Sequence, residues 1–274
     1  MSEQRRSLVP FTVAAVVAVI SLFMLALAVA YGWLGPDVDR GANFCETSDC
    51  TVRQPANTFS NLGFVVAGLA IAWRARRPWT LGHTLGHTLG GQPVIATVLA
   101  CVVVLLGPAS AAMHATESAV GGLLDMTSMY LLASFAAAYA WFRVGSRSTG
   151  WFIAVFTSCL VVSEIVGALP YEVPVLLHPG NVVFLTLLTT ALVGEFQLTS
   201  RGALVTDLRW GVAAVGTLVI AFVIWNAGQQ GWCDPESLWQ AHAFWHLLCA
   251  VACWLLFRLY ASEVEAPSDQ AVGG

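Results

Sequence analysis

Long runs of apolar residues alternate with short polar segments along the chain. A helix needs roughly 20 mostly apolar residues to cross the hydrocarbon layer of a membrane. Runs that meet this requirement cover residues 9–34, 57–76, 92–114, 119–143, 150–169, 178–197, 208–228 and 237–260. The pattern therefore predicts an all-α, polytopic membrane helix bundle with eight spans. The first run has no small-residue cleavage site before Gly35, so we interpret it as a retained helix and not as a signal peptide.

Arginine positions predict how these spans are oriented. Eight spans put both termini on one side of the membrane, together with the loops 77–91, 144–149 and 198–207. Ten of the 12 cationic residues fall on that side: Arg5, Arg6, Arg74, Arg76, Arg77, Arg143, Arg147, Arg201, Arg209 and Arg258. Only Arg40 and Arg53 fall on the other side. Because cytoplasmic loops carry the excess of positive charge, we expect both termini to be cytoplasmic.

The composition excludes two other classes of protein. Hydrophobic residues make up 57% of the chain and charged residues only 10%, whereas a soluble domain carries about a quarter charged residues. The net charge of −4 argues against nucleic-acid binding, which needs a dense basic face. The expected surroundings are the lipid bilayer, with no nucleic-acid partner.

Three histidines are predicted at one depth of the membrane. His242 and His246 are four residues apart in the last span, so both project from one face of a helix. His114 lies at the end of the third span, and the predicted orientation puts all three in the outer third of the bilayer. This arrangement predicts a zinc site with three histidine ligands and an open fourth position. For a single histidine in a span, a hydrogen bond to a neighbouring helix is the alternative.

Two more polar residues are expected at this depth. Ser110 precedes His114 by four residues and shares its face, and Asp125 lies about two turns into the next span. Ionisable groups inside a membrane are costly, so Asp125 indicates a function. A hydrogen bond from Ser110 to its own backbone is the alternative for that hydroxyl. For Glu164, in another span, we expect a structural hydrogen bond.

Three blocks of the sequence, taken together, match a known pattern. They are NFCE with NTFSNLGF (43–46 and 57–64), SAAMH with LLDMTSMY (within 110–130) and HAFWHLL (242–248). In this order they resemble the alkaline ceramidase family, part of a superfamily of membrane hydrolases that includes the adiponectin and progestin receptors. The resemblance implies that zinc is bound by His114, His242 and His246. It also implies that Asp125 holds and deprotonates the zinc-bound water, while Ser110 helps to stabilise the oxyanion.

The resemblance also implies a division of the chain. The family core has seven spans, so the first span here is an N-terminal addition. Residues 1–34 are then a cytoplasmic tail and the extra transmembrane helix, residues 35–260 the ceramidase-like seven-helix domain, and residues 261–274 a cytoplasmic tail.

Two further features of the outer loops are implied by the resemblance. Family members bind calcium at an acidic cluster. Here Asn43 stands in place of the first acid, Glu46 is kept, Ser48 stands where an Asn is usual, and Gln54 replaces the last acid. Calcium prefers several oxygen ligands that include carboxylates, so this site is either lost or rebuilt with Asp49. A disulfide between the first and last outer loops is implied for Cys45 and Cys233, with Cys50 as the alternative to Cys45.

These features predict a zinc-dependent hydrolase that cleaves the amide of a membrane lipid, ceramide or a related N-acyl lipid, to a fatty acid and a free base. Zinc would supply hydroxide at neutral pH, and Asp125 would act as the general base. A related lipid esterase or phospholipase is one alternative. A seven-helix receptor with a structural zinc site is another, against which the short N-terminal tail argues. A proton-relaying transporter is the third, and no inverted repeat supports it.

Overall fold

A computed structural model of the chain describes residues 7–47, 50–76, 88–170, 179–202 and 204–265. Of the residues implied in calcium binding, Ser48 and Asp49 lie outside the described residues.

The described part of the chain consists almost wholly of α-helices. They are α1 (Val9–Ala30), α2 (Pro55–Ser60), α3 (Leu62–Ala75), α4 (Pro93–Thr116), α5 (Ala119–Val144), α6 (Thr149–Gly167), α7 (Pro179–Arg201), α8 (Leu208–Gln229) and α9 (Ala241–Ala261). If α2 and α3 are counted together, 8 spans among the described residues are long and apolar enough to cross a membrane. Two short strands, β1 (Leu204–Val205) and β2 (Val264–Glu265), pair antiparallel. The predicted all-α, polytopic bundle is confirmed.

Three predicted helix ends are corrected by the structure. The sixth span continues to Arg201 and does not end at residue 197. The first span ends at Ala30, before the predicted end at residue 34, because the chain then enters turns that contain glycines of positive φ. The last span begins at Ala241 and not at residue 237. There the side chain of Gln240 closes a loop by donating to two preceding carbonyls at 2.8 and 2.7 Å.

The second span is divided in two at Asn61. The backbone N–H of Asn61 contacts the carbonyl of Thr58 at 3.3 Å and does not continue the α-helical pattern to Asn57. The carbonyl of Asn57 is therefore left for side-chain donors, and Ser60 Oγ and Asn61 Nδ2 each donate to it at 2.8 Å. This break matters for the site described below.

The centre of the bundle is formed by α3, α4, α5 and α9. α4 packs against α1, α3 and α5, while α9 packs against α3 and α8, and α6 and α7 pack against α5. Large side chains such as Phe135, Tyr139 and Phe257 are completely buried among these helices. Apolar side chains on the outer helices remain exposed, for example Phe196 and Val212, each at 73%. Such a surface fits contact with lipid.

Two glycines allow α4 to approach its neighbours closely. A Cβ added at Gly121, at the start of α5, would lie 2.7 Å from the carbonyl oxygen of Ala112 on α4. A Cβ added at Gly107 would lie 2.9 Å from the carbonyl oxygen of Asn61. These contacts bring the end of α4 beside both the start of α5 and the helix break.

A buried network of ion pairs lies near the C-terminal end of α5. Arg143, predicted only as one of the cytoplasmic arginines, is buried and forms ion pairs with Glu195 on α7 and with Glu263 after α9, the second at 2.7 Å. Glu263 also accepts from the hydroxyl of Tyr139 at 2.7 Å and from the backbone N–H of Leu89 at 3.1 Å. Burial raises the pKa of Glu263 to about 7, although the guanidinium of Arg143 opposes this shift.

Candidate metal centre

The three predicted histidine ligands come together inside the bundle. His114 lies near the end of α4, His242 and His246 lie in the first turns of α9, and all three are buried. One ring nitrogen from each lies within 4.8 Å of the others, and Nε2 of His114 is 3.2 Å from Nε2 of His242. Tetrahedral zinc with bonds of about 2.0–2.1 Å holds its nitrogen ligands about 3.3 Å apart. The spacing of His114 and His242 matches this value, and the group of three could hold a metal ion.

Gln54 fixes the orientation of the His114 ring. Its side chain is fully buried, and its Nε2 donates to the carbonyl of Gly41 at 2.8 Å and to Oε1 of Glu117 at 2.6 Å. Its Oε1 is then the acceptor for Nδ2 of Asn57 at 3.1 Å and Nδ1 of His114 at 2.7 Å. Because Nδ1 of His114 donates, Nε2 keeps its lone pair for a metal.

The helix break at Asn61 orients His246. Nδ1 of His246 lies 3.1 Å from the backbone carbonyl of Asn57 and 2.9 Å from Oγ of Ser60. A carbonyl can only accept, so we assign the proton to Nδ1 of His246 and the lone pair to its Nε2. Nδ2 of Asn61 also lies 3.2 Å from Nδ1, but it already donates to the carbonyl of Asn57. In metal sites the ligating histidine is typically oriented by such an outer acceptor.

His242 is held by an aromatic side chain. The ring of Phe44 stacks on the His242 ring with centres 3.9 Å apart and planes 12° apart. The next residue, Cys45, forms a disulfide with Cys233, which ties the loop after α1 to the loop before α9. Of the two alternatives, the structure thus pairs Cys45, and not Cys50, with Cys233.

Ser110 and Asp125 meet across the contact between α4 and α5. Ser110 is buried one turn before His114, and its side chain interacts with Asp125. Asp125 also interacts with Arg40, whose side chain lies directly on Gly122. Asp125 is not one of the described side chains whose ligand atoms meet at the histidines. Asp125 thus contacts Ser110, one turn of α4 before His114, and is not itself part of the histidine group.

The described residues of the implied calcium site make hydrogen bonds of their own. Asn43 is exposed and lies 3.4 Å from Oε1 of Gln229. Glu46 is buried, and its two carboxylate oxygens accept from backbone N–H groups of α2 at 2.6 and 2.8 Å. Burial raises the pKa of Glu46, although these N–H groups oppose the shift. Gln54 bonds to four partners as described above, and calcium binding stays a prediction.

Comparison with known families gives an independent assignment. The model of the Ceramidase family matches residues 40–269, which is most of the chain. The chain belongs to the ceramidase family. A search of curated proteins gave no match.

Membership of the ceramidase family implies a hydrolase that acts on a lipid amide. The resemblance inferred from the three sequence blocks is confirmed, and all three histidines lie inside the matched region. α1 precedes that region and packs against α3 and α4.

Several residues at the site were missed or misjudged from the sequence of this ceramidase-family chain. Gln54 was considered only as a calcium position, because no pattern relates it to His114, 60 residues later. Phe44 was noted only as part of a sequence block, and Arg40 only for its charge. Elsewhere in the bundle, Oε1 of Glu164 is buried without a hydrogen-bond partner among the described residues, and the structural hydrogen bond expected for this residue stays a prediction.

Proposed function

We propose that this member of the ceramidase family is a zinc-dependent intramembrane hydrolase that cleaves ceramide or a related N-acyl lipid to a fatty acid and a free base. The observation that carries the proposal is the buried histidine group. Within it, His114 and His246 each donate through Nδ1 to a carbonyl oxygen and keep Nε2 for a metal. His242 supplies the third nitrogen. Three nitrogen ligands leave one position of tetrahedral zinc open, as in catalytic zinc sites.

Asp125 and Ser110 supply the proton chemistry in this proposal. Zinc bound by the histidines would polarise a carbonyl and make water nucleophilic near neutral pH. The carboxylate of Asp125 takes a proton from the attacking water and passes it to the leaving amine. The hydroxyl of Ser110 donates to the carboxylate of Asp125 before the reaction. Once Asp125 holds the proton, this hydroxyl would turn to donate to the charge that develops on the substrate oxygen.

A lipid substrate is supported by the surroundings of the histidine group. α7 packs against α5 and α6, and α8 packs against α9, the helix that carries His242 and His246. Exposed apolar side chains on both α7 and α8, such as Phe196 and Val212, face the expected hydrocarbon layer. An acyl chain would approach from that layer, and its amide would lie at the depth of the histidines.

We also propose that the termini are cytoplasmic and the histidine group lies in the outer half of the membrane. At the end of the bundle far from the histidines, the guanidinium of Arg258 lies 3.9 Å from the ring centre of Trp210, and that of Arg76 lies 3.0 Å from the ring centre of Trp73. At the histidine end, Trp232 is 84% exposed. Tryptophan at both ends and arginine at one end are typical of a span oriented with its basic end in the cytoplasm.

Mass-spectrometric detection of fatty acid and free base tests the proposal. Purified, zinc-loaded protein should release both products from at least one of a panel of N-acyl lipids. His242→Ala should lose zinc and activity together. Asp125→Asn should keep zinc and lose turnover by at least about 100-fold, the usual minimum effect of a general base. Activity retained by His242→Ala would refute the metal assignment. If the protein hydrolysed only lipid esters, the proposed activity would be that of an esterase and not of an amidase.

A further inference from the structure

His242 differs from the other two histidines in its outer contacts. Nδ1 of His114 donates to Gln54, and Nδ1 of His246 donates to the carbonyl of Asn57. Nδ1 of His242 is buried without a hydrogen-bond partner among the described residues. Because metal-binding histidines almost always donate this N–H to an acceptor, an acceptor for His242 is expected.

A second buried donor lies beside it. The indole Nε1 of Trp225 on α8 is also buried and has no hydrogen-bond partner in the part of the chain that the structure describes. The ring centres of Trp225 and His242 are 6.3 Å apart. Both side chains line one small cavity of about 10 Å³, which Phe44, Gln229 and Gln240 also help to enclose.

These two groups cannot satisfy each other once a metal is bound. A metal on Nε2 of His242 leaves the proton on Nδ1, so Nδ1 is a donor, and the indole N–H of Trp225 is always a donor. Each therefore needs an acceptor, and a single acceptor between the two rings, whose centres are 6.3 Å apart, could serve both. A water molecule accepts two hydrogen bonds, and roughly 10–15 Å³ is the smallest cavity that holds one. Gln229 and Gln240 line the cavity, and their side chains carry amide oxygens, which are acceptors.

We propose that one internal water molecule in this cavity joins Nδ1 of His242 to Nε1 of Trp225 and thereby orients the third histidine of the metal group. The inference rests on the proposed function, because bound metal determines which nitrogen of His242 carries the proton. Trp225 is then a positioning residue. It holds the water, and the water holds one edge of the His242 ring, while Phe44 stacks on the face of that ring.

Zinc affinity, measured by competition with a chelator of known affinity, gives the first test. Trp225→Phe removes the N–H and keeps an aromatic ring. Trp245→Phe is the matched control, because its ring centre is 5.6 Å from that of Trp225 but it does not line the cavity. We expect zinc affinity to fall roughly tenfold in Trp225→Phe, the lower limit for loss of an outer partner, and to stay unchanged in Trp245→Phe. Equal affinity in the wild type and both variants would overturn the inference.

A spectroscopic measurement on the wild type separates this inference from the proposed function. In protein labelled with ¹⁵N at its indole nitrogens, the Trp225 N–H signal should show a cross-peak to a slowly exchanging water. The signal is assigned by its loss in Trp225→Phe, or by its proximity to His242 if that variant does not fold. A wild type that binds no zinc but shows this cross-peak would overturn the function and keep the water site. Zinc binding without the cross-peak would overturn the water site and keep the proposed function.

Discussion

Replacing Gln54 with leucine should weaken metal binding while the bundle still assembles. Leucine is of similar size but has no polar atoms, so the Nδ1 of His114, now 2.7 Å from Oε1 of Gln54, loses its acceptor. Loss of such an outer partner costs about 10–100-fold in metal affinity, or about 1.4–2.7 kcal/mol. Nδ2 of Asn57 also loses its acceptor, and each stranded buried group costs about 1–3 kcal/mol of folding free energy. The variant should therefore melt at a lower temperature and bind zinc more weakly.

A double variant in which residues 54 and 117 exchange their side chains provides the control for Gln54→Leu. Gln54→Glu keeps the acceptor for His114 but puts a second carboxylate against Oε1 of Glu117, where Nε2 now donates at 2.6 Å. Like charges at this distance repel each other, so this single variant should also bind zinc weakly. Adding Glu117→Gln restores a donor opposite the new carboxylate, and the double variant should recover most of the affinity.

Chelator competition at fixed pH measures zinc affinity in all four proteins, and circular dichroism checks that each retains its helices. Unchanged affinity in a folded Gln54→Leu protein would show that Gln54 does not orient His114. If the double variant bound zinc no better than Gln54→Glu, the contact between residues 54 and 117 would have no part in the effect.

Two other substitutions test parts of the structure away from the ligands. Burial raises the pKa of Glu263 to about 7 from 4.5. The folded chain therefore binds the carboxyl proton of Glu263 more tightly than the unfolded chain does, and protonation of this residue stabilises the fold. This stabilisation is lost as the pH rises from about 5 to 8. Melting curves at both pH values should show a smaller pH dependence in Glu263→Gln, and an unaltered dependence would contradict the assignment. Gly122→Ala should lower turnover about fivefold at unchanged zinc content. The new Cβ, 2.7 Å from Nε of Arg40, displaces a positive charge that attracts Asp125, and a loss of about 1 kcal/mol corresponds to about fivefold in rate. Gly216→Ala, whose Cβ would meet nothing within 4 Å, is its control, and equal losses in the two variants would refute the explanation.

The spans and the histidine group could be predicted because each depends on a regular repeat. The number of spans follows from the lengths of apolar runs, and the common face of His242 and His246 follows from helical periodicity. His114 joins them because alternating spans bring the end of one helix and the start of another to the same depth. No detailed packing is needed for these inferences.

The contacts that orient the ligands depend on packing between distant segments and could not be predicted in this way. The break at Asn61 lies within an apolar run that reads as one continuous span. Arg143 was counted as a cytoplasmic charge, because charge counting cannot detect that Glu195 and Glu263 meet it in the interior. Gln54 reaches His114 only through the loop that precedes α2.

The loop before α2 and the metal centre form one hydrogen-bonded unit. Gln54 acts on His114 directly. Glu46 acts on His246 through the start of α2, because its carboxylate accepts from the backbone N–H of Asn57, the residue whose carbonyl holds His246. A carboxylate in place of Gln54 could accept from His114 but could not donate to the neighbouring acid, whereas an amide does both. The amide of Gln54 thus connects the loop to the histidines by hydrogen bonds alone.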